Sequence, residues 1–87
     1  MAILFTEHAL KRIPWRGTSV DEVTAVILDG TPDEARPGYE ARVSVFPYER
    51  DWGGKVFPQK RVRAIFAREG DDIVVVTVYV YFGRWNE

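Results

Sequence analysis

The sequence predicts an α+β domain: an N-terminal short strand and two helices packed on an antiparallel sheet of three to four strands. Three observations predict it. Before Thr31 the chain carries two helix-start signals followed by apolar residues at helical spacing. From Tyr39 onward the apolar period changes to two. Helix-like and strand-like segments are segregated along the chain rather than alternating, which favours an antiparallel sheet with helices on one face.

The elements follow in order. Ile3-Leu4-Phe5 is a short edge or first strand. Thr6 N-caps a helix, with Phe5 and Leu10 in the two staple positions. Ala9, Leu10 and Ile13 form its apolar stripe. Pro14 pushes Ile13 out of the α region and is expected to end or kink this helix. After a turn at Arg16-Gly17-Thr18, Ser19-Val20-Asp21-Glu22 reads as a capping box, with Glu22 reaching back. Val20, Val23, Val26, Ile27 and Leu28 supply the buried face of the second helix, and Gly30 is expected to close it in the left-handed conformation. Residues 31–38 read as a loop. A strand then runs from Tyr39 until Pro47 ends its central pairing. Gly53-Gly54 marks a hairpin tip. Lys60–Arg68 is the next strand, Glu69-Gly70-Asp71 a tight turn, and Ile73–Phe82 a central strand rich in β-branched and aromatic residues.

Composition narrows the function classes. At 87 residues the chain, residues 1–87, is expected to form one domain. A hydrophobic fraction of 46% with 29% charged residues fits an ordinary globular protein. With no cysteine and one histidine, disulfides, thiolate catalysis, cysteine-ligated zinc and a histidine-rich metal site are excluded. No P-loop or G-x-G-x-x-G is present, and no cofactor is expected. No apolar run approaches the roughly 20 residues that span a bilayer, and no signal-peptide pattern opens the chain, so no membrane association and a cytoplasmic location are expected. The net charge is −1, so any nucleic-acid binding must rest on a local basic patch.

Two constellations fit such binding. The single histidine, His8, lies one helical turn from Arg12, so a phosphate can sit between them. Metal-independent RNA cleavage needs a base for the 2′-hydroxyl proton, an acid for the leaving 5′-oxygen and cations for the phosphorane. Imidazole is the side-chain type that exchanges a proton near neutral pH. The plainer alternative is that His8 makes a structural contact at the helix start. The second constellation is a sheet face. If Ala41, Val43, Val62, Ala64, Val76 and Val78 face the helices, then Arg42, Ser44, Arg61, Arg63, Thr77, Tyr79 and Tyr81 face away from them. Arginines hold phosphates bidentately and tyrosines stack on bases. Residues 55–68 hold five cations and no acid, which supplies the patch. The alternative is cross-strand packing on a wet face. Trp15, Trp52 and Trp85 fall in turns or beyond the last strand, and are either interface residues or satellite packing.

The pattern H-x-x-x-R-x-x-x-R-G-T-S-x-D-E-V over residues 8–23, with R-V-R-A-I-F-A-R-E-G-D-D-I-V-V-V-T-V-Y over 61–79, resembles a family of small prokaryotic domains of unknown function. That family is similar to the RelE/ParE and BrnT toxins. The resemblance implies their α+β fold and a toxin-type, metal-independent endoribonuclease with an antitoxin partner. On that reading His8 transfers protons, Tyr79 assists or positions a base, and Arg12, Arg42, Arg61, Arg63 and Tyr81 bind RNA. Pro14 leaves open whether Arg16 shares the face of His8 and Arg12. The alternative is a non-catalytic protein-interaction module of the same fold. The acidic pI, about 5.8, favours the module; the basic run from Lys55 favours the ribonuclease. Nothing in the sequence requires a dimer.

Overall fold

Seven elements form in the chain order β1 (Ile3–Phe5), α1 (Glu7–Arg16), α2 (Val20–Asp29), β2 (Thr31–Asp33), β3 (Glu40–Trp52), β4 (Lys55–Glu69) and β5 (Asp72–Gly83). The computed structural model describes residues 1–85 without the Trp52 side chain. The end of the tail, Asn86 and Glu87, and the proposed interface role of the Trp52 ring lie outside the described residues.

The architecture is α+β, with five strands in a mixed sheet of order β1-β5-β4-β3-β2. This corrects the expectation of three to four antiparallel strands. β1 runs parallel to β5, pairing Ile3 with Ile73 and Phe5 with Val75. β2 pairs antiparallel with β3 inside the stretch read as a loop, Pro32 opposite Arg42. β1 is the expected N-terminal strand, joined to the sheet in parallel, and β2 is the addition; both are three-residue edge strands, too short to display a period of two. A proline is tolerated in β2 because an edge strand has one unpaired side.

The two long hairpins form as their turns dictate. Gly53 and Gly54, both at positive φ (65° and 89°), close a two-residue loop between the paired Trp52 and Lys55. Gly70 at φ 59° opens the two-residue loop between Glu69 and Asp72. Pro47 does not end β3. The register shifts between Pro47 and Arg50, with Glu49 at φ 51°, and β3 continues to Trp52. Pro58 lies opposite this bulge, so both prolines fall where the ladder is already interrupted.

The core lies between the helices and one face of the sheet. Val62, Ala64, Phe66, Val75 and Val78 meet Ala9 and Ile13 of α1 and Val23, Val26 and Ile27 of α2. Phe66 is fully buried, worth roughly 2–3 kcal/mol in removed apolar surface. Leu10, expected in the α1 stripe, is instead 48% exposed.

Register decides which residues share a face. Arg42 aligns with Ala64 and Val78, and Val43 with Arg63 and Tyr79. Arg42 and Ser44 are therefore on the helix face, and Ala41 and Val43 on the outer face, the reverse of the sequence expectation for β3. Alternation alone defines two sets of β3 residues without saying which is inward, and here the apolar set is the outer one. Ala41 and Val43 are buried on the outer face because the Arg63 side chain crosses β3 to reach Asp33 on β2. Val76 is also displaced: a bulge between β4 and β5 leaves it between the paired Val75 and Thr77.

Candidate nucleic-acid interface

α1 begins where β1 stops and runs on along the β5 edge. The Thr6 N–H donates to the Val75 carbonyl at 3.1 Å and the Thr6 hydroxyl to that of Val76 at 3.3 Å. The same hydroxyl accepts from the Ala9 N–H, which is the expected N-cap. From this anchor, His8 faces the outer side of β5, its Nε2 3.3 Å from Thr77 Oγ1. Two turns later the Arg16 guanidinium lies over the Tyr79 ring, 5.2 Å from its centroid.

Arg16 reaches Tyr79 because Pro14 does not end the helix. Pro14 lacks the N–H that would bond the Leu10 carbonyl, but it is exposed, as is Leu10, so water can take that carbonyl. The helix ends instead in a Schellman motif. Gly17 at φ 89° donates to Pro14, and Thr18 donates to Ile13. His8 and Arg16 are thus brought to one face of the sheet. Arg12 lies between them in sequence, its guanidinium 5.0 Å from the centroid of the Trp15 ring, beside a basin lined by Glu7, His8 and Lys11.

The outer face is ordered in rows by the pairing. On β5 stand Thr77, Tyr79, Tyr81 and Gly83; opposite them on β4 stand Ile65, Arg63, Arg61 and Gln59. A hollow of about 410 Å³ opens between His8, Thr77, Tyr79, Arg63, Arg36 and Tyr39. A second, of about 470 Å³, is lined by Arg63, Arg61, Tyr81, Trp85, Asp33 and Glu34. Arg63 is shared by the two. Its Nε donates to Asp33 Oδ2 at 3.2 Å and its Nη2 to the Glu34 carbonyl, so it is clamped rather than mobile. The Glu34 N–H, and then Arg63, hold the Asp33 carboxyl below its ordinary pKa. Trp85 turns back onto the face: its backbone N–H donates to Gln59 Oε1 at 2.7 Å and its ring lies against Gly83.

Of the sequence-selected residues, His8, Arg61, Arg63, Tyr79 and Tyr81 share this face, and Arg12 flanks it. Arg42 does not: on the helix face it donates to the Ile27 carbonyl at 2.7 Å, a cation at the C-terminal end of α2. Lys60, part of the basic run, is also on the helix side. Its side chain is 8% exposed, and its ammonium contacts Glu22 Oε1 at 2.6 Å and the Gly17 carbonyl at 2.9 Å. Glu22 thus holds Lys60 and the Thr18 hydroxyl instead of reaching back to Ser19. Arg36 and Tyr39 were missed because only tertiary folding brings their connection near His8. The placement of Trp85 was likewise open, and Gly83 was its one sequence clue.

Among the described residues, no three His, Asp or Glu side chains gather to hold a metal ion, and no helix is long and apolar enough to cross a membrane. No curated protein and no solved structure matches the chain significantly. A family model does match, the domain of unknown function DUF4258, over residues 5–80, which include α1 and most of the sheet that carry this face. The chain belongs to that family.

Proposed function

We propose that this is a RelE/BrnT-like domain that cleaves RNA as a toxin-type endoribonuclease without a metal. The observation that carries the reading is the meeting of His8 and Arg16 from α1 with Tyr79 and Arg63 on one open face. In the proposed reaction the ribose 2′-oxygen attacks phosphorus and the bond to the 5′-oxygen breaks. His8 takes the 2′-hydroxyl proton and then releases it to water, and the Tyr79 hydroxyl donates one to the departing 5′-oxygen and regains it from water, so no net proton is consumed. Arg16 and Arg12 offset the charge gathering on the phosphorane oxygens. The products are a 2′,3′-cyclic phosphate and a free 5′-hydroxyl. A small antitoxin that covers the same face is the partner this reading implies.

The test is incubation of the purified protein with end-labelled single-stranded RNA in the presence of a chelator. Cleavage with those two termini is expected, slowed by roughly 100-fold or more in His8→Ala. RNA that stays intact, or a His8→Ala protein as active as wild type, contradicts it. A second reading, a non-catalytic module that binds protein, is favoured by Trp15, a tryptophan 73% exposed on α1. Intact RNA together with a partner lost in Trp15→Ala supports that reading.

A further inference from the structure

We infer that the outer face binds RNA as an unstacked single strand along β5, with bases on Tyr79, Tyr81 and Trp85 and backbone on the β4 arginines. The inference rests on the reading that this face meets RNA, and it names the form of RNA and a second subsite away from His8.

The first argument is spacing. Tyr79 and Tyr81 are two residues apart on one strand face, about 6.8 Å. Gly83 continues the row, and its place is taken by the Trp85 ring lying over it. Phosphates along one strand of a duplex advance by only about 3.4 Å, with the base faces closed to side chains. A row of rings at twice that interval suits bases that have been spread apart.

The second argument is charge. Each of the two tyrosines has an arginine as its cross-strand partner, Arg63 beside Tyr79 and Arg61 beside Tyr81, while Gln59 stands at the Gly83–Trp85 end. The Nε atoms of Arg61 and Arg16 are buried without a hydrogen-bond partner in the protein. These guanidiniums are incompletely compensated, which favours an anion that can reach their remaining donors. Arg63, clamped by Asp33 and Glu34, keeps the middle of the row in place.

The third argument is access. Tyr81 is 49% exposed, and the Arg61–Tyr81–Trp85 hollow lies beyond the Tyr79 hollow, with Arg63 common to both. A strand whose scissile phosphate lies at His8 therefore has a continuous route past Tyr79 to Trp85. The strong ring–arginine alternation favours a nucleic acid over an acidic peptide, because acidic side chains use the cations and leave the rings idle.

The experiment is fluorescence anisotropy with a labelled single-stranded RNA octamer and a duplex of the same composition, in chelator and on the His8→Ala background so that the probe survives. The single strand is expected to bind at least roughly tenfold tighter. Tyr81→Ala and Trp85→Ala should each weaken it by roughly 5- to 100-fold, and Tyr81→Phe should restore binding. Arg61→Gln should lower the slope of log K against log salt by about 0.7. Thermal melts of each variant separate lost binding from lost folding. Equal binding of duplex, folded Tyr81→Ala and Trp85→Ala proteins that bind normally, or equal competition by a poly-glutamate peptide each overturns the inference. Cleavage that survives in these aromatic variants with unchanged binding sinks the subsite and leaves the ribonuclease standing. Ring-dependent binding without wild-type cleavage does the reverse.

Discussion

Lys60 shows how a cation in a basic run can serve the fold. It points to the helix side, where the Glu22 carboxylate and the Gly17 carbonyl take its ammonium, tying β4 to the start of α2 and the turn before it. Removing one partner of such a pair costs more than replacing the cation by an apolar chain of similar length. Glu22→Ala is expected to destabilise by about 1–3 kcal/mol, because the ammonium loses its charged partner while remaining largely buried. Lys60→Met should cost less, since Glu22 keeps the Thr18 hydroxyl and is partly solvated. Urea unfolding of both variants gives the order, and a Lys60→Met cost larger than that of Glu22→Ala contradicts it. Arg42 teaches the same lesson about faces. Its residue type fitted phosphate binding, but one step of register placed it on the Ile27 carbonyl. Period-two alternation names two sets of residues; only the partner strand tells which set is inward, and β3 has buried small residues on its outer side.

Among elements, α1 matters most to the site. A helix ended at Ile13 would leave Arg16 in a turn; a helix carried past Pro14 to the Gly17 cap places Arg16 over Tyr79. Pro14→Ala restores the bond to the Leu10 carbonyl and is expected to stabilise the protein by roughly 1–3 kcal/mol. Gly17→Ala places a Cβ at φ 89° and should cost about 1–2 kcal/mol while loosening the Arg16 contact. Thermal melts read both, and a destabilised Pro14→Ala protein would show that the proline is needed for this helix path. Ser19 and the Gly53-Gly54 and Gly70 turns were legible because their signals are local. Gly30 was legible as a helix end for a different reason than expected. Its φ is −71°, and a side chain there would strike the Val26 and Val43 carbonyls, so a close approach of α2 to β3 requires it. β1 was legible as a first or edge strand but not its parallel pairing with β5, whose residues lie far along the chain, and β2 was not legible at all, because three residues with a proline among them show no period.

At the scale of the molecule, a net charge of −1 conceals an uneven distribution. Arg16, Arg61 and Arg63 share the outer face with the tyrosines, while Lys60 and Arg42 are spent on the helix side. The residue types of the proposed RNA site were therefore visible in the sequence, and so was their partition on β4 and β5. What was hidden is the joining of α1 to that face, since it depends on β1 pairing parallel with β5 and carrying the helix along its edge. The proposed function requires that this joined surface cuts RNA. Its most direct test is induced expression in a bacterial host, with growth and total RNA followed for wild type, His8→Ala and Arg16→Ala at matched soluble levels. Wild type should arrest growth and leave RNA fragments ending in cyclic phosphate, and both folded variants should relieve the two effects together. Unimpaired growth with intact RNA in the wild type, or arrest undiminished by the variants, would contradict the account.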